Sequence, residues 1–158
     1  MRRAIALGAL ALVLGACGPA GREPAATGHE DEELRHATQH YGDLVGKMDH
    51  AAIAALFDKD GVLAAEGSRP VRGPEAIEKY LESFSKVQVL SESLTVSTVN
   101  FRGSNGHVTG TYQQSVRLPE GNVANVHGTF AADWIRGSDQ VWRLRRMASF
   151  PDKERKGP

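Results

Sequence analysis

The stretch HVTGTYQQSVRLPEGNVANVHGTFAADWIR, residues 107–136, decides the fold. Both of its halves are rich in Val, Thr, Phe, Tyr and Trp, and the turn-forming segment Pro119-Glu120-Gly121-Asn122 separates them, which is the pattern of a β-hairpin. Runs of the same kind lie near 88–101 and 140–149, each set off by a short segment containing glycine. The sequence therefore predicts four long strands joined as antiparallel hairpins.

Three helices are predicted ahead of these strands. Apolar residues repeat at spacings of three and four over 34–48, which is the period of an amphipathic helix. Asp49 is a candidate N-cap for a short second helix, with Gly61 as its terminator, and a short strand is expected at 62–65. Pro74 occupies the first position of a third helix. Helices followed by a strand meander give the fold class α+β, with the helices covering one face of a curved sheet.

Length, composition and charge exclude several classes of protein. The chain has 158 residues, of which 41% are hydrophobic, and its 19 basic residues balance 19 acidic ones. This composition is that of an ordinary globular protein, and it carries no basic excess for nucleic acid. We therefore expect no nucleic-acid partner. The single cysteine excludes an internal disulfide and a cysteine-rich zinc site.

That cysteine lies at the end of an amino-terminal secretion signal. Two arginines precede an uncharged segment, 4–13, that is too short to cross a bilayer as a helix. The run Leu14-Gly15-Ala16-Cys17 resembles the bacterial lipobox. The resemblance implies that residues 1–16 are a lipoprotein signal peptide and that lipidated Cys17 anchors the protein to a membrane. The alternative is an ordinary cleaved signal peptide that leaves Cys17 as a free thiol.

The remaining chain divides into three parts. Residues 17–30 are rich in Pro, Gly and Ala and are predicted to form a flexible tether. The predicted domain covers 31–150, and a charged tail covers 151–158. Gly18 follows the cysteine at the position where retention in the inner membrane typically calls for Asp. We therefore expect a protein of the bacterial cell envelope that, in a host with two membranes, is anchored in the outer membrane and faces the periplasm.

The order helix, helix, short strand, helix, four long strands resembles the NTF2-like superfamily, in particular its SnoaL-like and DUF4440 branches. The segments that carry the resemblance include Met48-Asp49, Asp60-Gly61-Val62-Leu63, Val71-Arg72-Gly73-Pro74, His107-Val108-Thr109-Gly110 and Trp142-Arg143-Leu144. The resemblance covers about residues 33–150. It implies a cystatin-like cone, in which a strongly curved, mainly antiparallel sheet wraps around three helices and encloses a pocket. It implies no particular reaction, because the fold hosts isomerases, dehydratases, ligand binders and interaction domains.

Alternation of side chains along the strands predicts which residues line that pocket. Trp142, Leu144 and Arg146 share one face of the last strand. With residues from two neighbouring strands and the third helix, the predicted lining is Tyr80, Phe84, Tyr112, Gln114, Trp134, Trp142 and Arg146. An aromatic-walled cavity with one arginine suits a small hydrophobic ligand that carries a carboxylate. In the alternative, the aromatic residues form a filled core and Arg146 pairs with a carboxylate at the surface.

The sequence contains no complete catalytic set. Ketosteroid-isomerase-like members of the fold need a carboxylate base in an apolar pocket, together with a tyrosine that stabilises the oxyanion. Tyr112 supplies a tyrosine, but Glu66 is the one carboxylate that we place near the pocket mouth, since Asp133 falls on the outward face. His127 shares that face, but it lies about 20 Å from Asp133 along an extended strand. We therefore predict no catalytic residues.

Two histidines of the predicted first helix have a spacing found in metal sites. His36 and His40 are four residues apart and close to Glu33, which is a spacing that suits a metal pair on one helix. However, they lie opposite the apolar stripe, beside Asp43 and Lys47, and a solvated polar face accounts for them. We expect no metal and no cofactor.

The sequence thus predicts a lipid-anchored envelope protein whose NTF2-like domain binds a ligand or a partner without catalysing a reaction. The alternative is a small SnoaL-like or ketosteroid-isomerase-like enzyme that acts by proton transfer on a hydrophobic ligand. A carboxylate that projects into a cavity containing Tyr112 would favour the enzyme. A homodimer paired through the sheets, an arrangement common in the superfamily, is a further expectation.

Overall fold

A computed structural model describes residues 27–152. The signal peptide, Cys17 and residues 153–158 of the predicted tail lie outside that range. The helices are α1 (Thr27–Lys47), α2 (His50–Ala55) and α3 (Pro74–Glu82), and the strands are β1 (Phe57–Ala65), β2 (Val71–Arg72), β3 (Gln88–Arg102), β4 (Asn105–Arg117), β5 (Val123–Arg136) and β6 (Trp142–Pro151). Within the described range, no helix combines the length and the apolar character that a membrane span requires.

All six strands belong to one sheet, in the order β2-β1-β6-β5-β4-β3. β1 runs parallel to β6, and every other pair of neighbours is antiparallel. Register shifts interrupt β3 at two points and the β5–β6 pairing at one, and such bulges bend a sheet. The predicted α+β class, with helices followed by a curved and mainly antiparallel sheet, is confirmed.

The first helix begins earlier than predicted. α1 starts at Thr27 and so includes the last four residues of the segment 17–30, which the sequence assigned to a tether. Glu30 lies in the first turn, where a carboxylate stabilises the positive end of the helix dipole. The tether prediction is wrong over 27–30, and residues 17–26 lie outside the described range.

The second helix is shorter than predicted and the first strand is longer. Asp49 caps α2 as predicted, since its carboxylate accepts a hydrogen bond of 3.1 Å from a backbone N–H in the first turn. β1 then begins at Phe57, so Gly61 lies inside a strand and does not terminate a helix. A Cβ atom on Gly61 would come within 2.7 Å of the Leu144 carbonyl oxygen. The close approach of β6 therefore requires glycine at this position.

The hydrophobic core lies between the helices and the face of the sheet that they cover, which we call the inner face. Leu34, Ile77 and Leu144 are fully buried there. α1 packs closely on the sheet because two glycines lack side chains: a Cβ on Gly42 would come within 2.7 Å of Leu94 Cδ1, and one on Gly106 would come equally close to Leu34 Cδ1. The opposite side of the sheet is called the outer face.

Candidate ligand-binding cavity

A cavity of about 300 Å³ opens between the three helices and the inner face of the sheet. Ligand sites of small molecules range from about 300 to 1,000 Å³, so this cavity suits a compact molecule. Most of its lining is apolar, and the apolar residues include Val45, Ile53, Leu63, Ala65, Leu81, Phe84, Val87, Val89 and Val116. The rings of Tyr80 and Phe84 meet edge to face with their centroids 5.1 Å apart. Phe84 is 43% exposed, which places it at the cavity mouth.

Six side chains with polar groups join this apolar lining: Tyr41, His50, Arg69, Tyr80, Gln114 and Ser149. The Nε2 atom of His50 is buried and has no hydrogen-bond partner among residues 27–152. A buried polar atom without a partner costs about 1–3 kcal/mol. A ligand group that pairs with Nε2 would recover that free energy, so His50 marks the polar end of the cavity.

The structure brings together only part of the predicted lining. Tyr80, Phe84 and Gln114 line the cavity. Tyr112 lies beside it, packed against the core and opposite Leu94 of β3. Tyr112 therefore contributes to the packing of the core and not to the cavity lining.

The two tryptophans lie elsewhere in the domain. Trp134 is 1% exposed and forms part of the filled core. Trp142 faces α1, where its Nε1 atom donates a hydrogen bond of 3.0 Å to Glu33 Oε2. The guanidinium of Arg136 lies 5.6 Å from the centre of the Trp142 ring. Both tryptophans therefore hold the fold together and line no part of the cavity.

The prediction that Arg146 faces the cavity is wrong. Asp133 pairs with Arg146, but the next residue of β5, Trp134, pairs with Leu144, so Arg145 is an extra residue in β6. This bulge reverses the alternation: Arg146 is exposed on the outer face, and Met147, 3% exposed, turns inward. Simple alternation fails here because it assumes a strand without bulges.

Glu92 is a carboxylate that the sequence reasoning missed. It is partly buried on the inner face of β3, directly opposite Gln114 of β4. The signal was available, because Glu92 alternates in phase with Leu94 and Val96, which pack against the core. Burial raises the pKa of Glu92 to about 7, although the Gln114 amide favours the charged form. Its Oε2 atom is buried without a hydrogen-bond partner in the described part of the chain.

Two tyrosines lie close enough to Glu92 to respond to its charge. Burial, and then the negative charge of Glu92, raise the pKa of Tyr41 on α1 far above its usual value. The same two causes, in the same order, raise the pKa of Tyr112 on β4. Both phenols therefore stay protonated at neutral pH and can donate hydrogen bonds. Glu92 is linked to the cavity through Tyr41 and Gln114, which both line it.

The other ionisable candidates do not converge on the cavity. Glu66 is exposed and does not line it. On the outer face, Asp133 is bonded to His107, with 2.6 Å between His107 Nδ1 and Asp133 Oδ1. His127 lies near a different carboxylate, with 3.9 Å between His127 Nδ1 and Asp152 Oδ2. His107 contacts Asp133 because the two residues are paired across β4 and β5. The sequence of one strand alone does not show this pairing.

The two histidines whose spacing would suit a metal lie on the surface of α1. His36 and His40 are exposed, and Glu33 is engaged by Trp142 and Arg136. Over residues 27–152, no three His, Cys, Asp or Glu side chains lie together in a metal-binding arrangement.

Comparisons with known proteins place this architecture in a family. The sequence profile of the SnoaL-like domain matches residues 27–148. A ketosteroid isomerase-like protein from Erwinia carotovora atroseptica SCRI1043 is similar in structure, with a TM-score of 0.73 and 16% identity over 78% of this chain and 97% of that one. An NTF2-like protein with a cystatin-like fold from Novosphingobium aromaticivorans gives a TM-score of 0.64 and 18% identity over 82% and 87%.

A conserved protein from Planctomyces limnophilus DSM 3776 gives a TM-score of 0.70 and 20% identity over 78% of this chain and 98% of that one. At these identities the likeness shows the fold alone. No curated protein sequence matches the chain significantly. Because the matched profile spans well over half of the residues, the chain belongs to the SnoaL-like domain family, whose fold is the NTF2-like one that the sequence predicts.

Proposed function

We propose that this SnoaL-like domain binds a small, mainly apolar molecule in the inner cavity and is held at the bacterial envelope by lipidated Cys17. The observation that carries the binding proposal is the cavity of about 300 Å³ itself, with apolar walls and a buried, unpartnered His50 Nε2 at one end. Such a combination of apolar surface and few polar groups is typical of small-molecule sites.

The chemistry of the lining restricts the class of ligand that the cavity can bind. Its body is apolar and compact, because the walls are aliphatic and aromatic and the volume is small. Its polar end carries a hydrogen-bonding or acidic group, which His50 and Gln114 can meet inside the cavity. Arg69 is an exposed residue of the lining and attracts a carboxylate. It replaces Arg146, which the sequence predicted to bind that group.

Native mass spectrometry of the purified full-length protein tests this proposal. We expect a bound molecule that is released on denaturation and can then be identified by its mass. The Arg69→Gln variant should retain less of an acidic ligand, whereas Arg35→Gln, a change of equal charge at a residue that does not line the cavity, should retain as much as the wild type. A wild-type protein that carries no molecule, and takes up none from a fatty-acid mixture, would contradict the proposal.

Proton transfer is a second candidate function, and Glu92 is the observation that favours it. Neither Glu92 nor Tyr112 lines the cavity, but Glu92 lies directly opposite Gln114, which does. A general base works best when its pKa lies near the working pH, and burial brings the pKa of Glu92 to about 7. Tyr41 and Tyr112 are protonated donors beside it. The structural likeness to a ketosteroid isomerase-like protein makes a β,γ-unsaturated ketosteroid a reasonable test compound.

The catalytic candidate is tested by the rate of double-bond isomerisation in that compound. The wild-type rate should rise with pH through about 7, as Glu92 becomes charged. Glu92→Gln should lose at least about a hundredfold in rate, the usual contribution of a general base. If the wild type and Glu92→Gln react at equal rates, or if neither reacts faster than the compound does in buffer alone, the function is binding without catalysis.

The membrane anchor rests on the lipobox-like run Leu14-Gly15-Ala16-Cys17. We expect labelled fatty acid to be incorporated into the wild-type chain and the protein to fractionate with the outer membrane. Cys17→Ala should abolish both the labelling and the membrane retention. If Cys17→Ala is retained equally well in membranes, the lipoprotein proposal is wrong.

A further inference from the structure

We propose a second binding site, for a small oxyanion, on the outer face of the sheet. A groove of about 1040 Å³ crosses this face. It lies on the opposite side of the sheet from the inner cavity, so the site is independent of the function proposed above. The proposed ligand carries a phosphate group or carboxylates, and three features of the groove support it: a row of paired residues, unpaired arginines and an excess of positive charge.

The row crosses all six strands at a single level. Strand pairing places its members directly opposite one another in the order Arg72, Val62, Arg146, Asp133, His107 and Asn100. Residues paired in this way present their side chains on the same face of a sheet, and all six line the groove.

Arg72 and Arg146 are the two arginines of that row. The small side chain of Val62 separates them, on the strand between. Neighbouring strands lie about 4.8 Å apart, so the backbones of the two arginines are about 10 Å apart. Two guanidinium groups that start from that distance can close on one phosphate or on a short dicarboxylate. The strand register thus creates a gap of suitable width for a small anion.

These arginines are free to bind an anion. Arg72 Nη1 donates to the backbone carbonyl of Asp60 at 3.0 Å, which leaves the other donors of its guanidinium available. In the described part of the chain, no carboxylate lies within 4.0 Å of the guanidinium nitrogens of Arg146. Asp133, which pairs with Arg146 across the strands, is hydrogen-bonded to His107 instead.

The groove as a whole carries an excess of positive charge. Its carboxylates are Asp58, Asp60 and Asp133, and its basic residues are Lys59, Arg72, Arg102, Arg145 and Arg146. Lys59 pairs with Asp60, which removes one charge of each sign. The bulge in β6 adds to the excess, because it places both Arg145 and Arg146 among exposed residues. Arginine binds phosphate and carboxylate with two parallel hydrogen bonds, so this set of residues selects oxyanions.

Calorimetric titration of the purified full-length protein in detergent tests the site, with inorganic phosphate and succinate as separate probes. At low salt we expect saturable binding of at least one probe, with one site per chain. The probe that binds more tightly distinguishes a phosphate site from a carboxylate site. Arg146→Gln and Arg72→Gln should each weaken binding about tenfold, since each removes a charge-assisted pair.

Arg117→Gln is the matched control. Arg117 is exposed at the far end of β4, outside the groove, and its loss changes the net charge equally. It should leave the affinity unchanged. Equal weakening by Arg117→Gln, or unchanged affinity in both groove variants, would overturn the site. A protein that binds neither probe and sediments as a dimer, which Arg146→Gln dissociates, would overturn it as well and assign the groove to a second copy of the chain.

Discussion

Glu92 is the residue whose chemistry is most altered by the fold. Its carboxyl group is partly buried on the inner face of the sheet, and Oε2 is buried without a hydrogen-bond partner within the described range. Desolvation disfavours the charged form, and the pKa of Glu92 rises to about 7. Near neutral pH the folded protein therefore contains both the acid and the carboxylate, beside two tyrosines whose hydroxyls stay protonated and can donate.

This raised pKa makes the stability of the fold depend on pH. An unfolded glutamate has a pKa of about 4.3, so the folded state binds the proton more tightly. The stabilising contribution is complete below pH 4 and is lost as the pH rises through about 7. Glu92→Gln resembles the protonated form. Its free energy of unfolding at pH 8 should exceed that of the wild type by about 1 kcal/mol, after allowance for partial exposure.

Urea denaturation at pH 4 and pH 8 measures this effect. Glu120→Gln, a change of equal charge in the exposed turn between β4 and β5, should leave the pH dependence unaltered. If the stability difference between Glu92→Gln and the wild type is the same at both pH values, Glu92 does not titrate as described.

At the scale of elements, Glu33 joins the first helix to the last strand. Its carboxylate accepts a hydrogen bond of 3.0 Å from Trp142 Nε1 and lies 3.2 Å from Arg136 Nη2. Glu33→Ala should destabilise the fold by about 1–3 kcal/mol, because it leaves the Trp142 indole N–H without an acceptor and removes one of the two carboxylates that pair with Arg136. Glu32→Ala, one residue earlier and exposed, should cost less than about 0.5 kcal/mol. Chemical denaturation measures both variants. If Glu33→Ala and Glu32→Ala lower the free energy of unfolding equally, Glu33 is not a specific link between the helix and the strand.

Gly110 controls the packing of three strands. A Cβ atom at this position would collide with the Thr95 carbonyl oxygen and would lie 2.6 Å from Phe130 Cε1. Since backbone and ring cannot both move aside, Gly110→Ala should lower the free energy of unfolding by about 3 kcal/mol. Gly28→Ala in α1, where nothing lies within 4 Å, should leave it unchanged or slightly higher. Thermal denaturation of both variants checks this, and a tolerated Gly110→Ala would show that the sheet is packed less closely here.

The sequence predicts the helices and strands better than it predicts the bulges and the face of the sheet on which a given side chain lies. Hydrophobic periodicity and turn residues locate the helices and the four long strands, because both depend on local preferences. The bulge at Arg145 depends on how β6 pairs with β5, and no local pattern reveals it. This single inserted residue moves Arg146 from the predicted cavity to the outer groove. Glu92 is the opposite case, since its alternation with Leu94 and Val96 was visible in the sequence.

At the scale of the whole molecule, the sheet separates two surfaces of different chemistry. The inner face and the helices enclose an apolar cavity with His50 at its polar end. The outer face carries a basic groove whose floor is the row from Arg72 to Asn100. A domain tethered through Cys17 would present both surfaces to the same compartment, so one protein could take an apolar molecule and an anion independently.

The inner cavity is tested most directly by filling it. Ala65 lies on its wall at the end of β1, and Ala65→Trp adds an indole ring that occupies much of the roughly 300 Å³ available. Ser149→Leu fills it from β6 with a smaller change, in case the larger one disturbs folding. Val123→Trp, at an exposed position of β5, is the control.

The measurement is native mass spectrometry of the four full-length proteins, with folding verified by circular dichroism. We predict that the wild type and Val123→Trp carry the bound molecule, and that Ala65→Trp and Ser149→Leu fold but lose it wholly or in part. Folded Ala65→Trp and Ser149→Leu proteins that both retain the molecule as fully as the wild type would show that it binds elsewhere, and would contradict the assignment of the inner cavity as the ligand site.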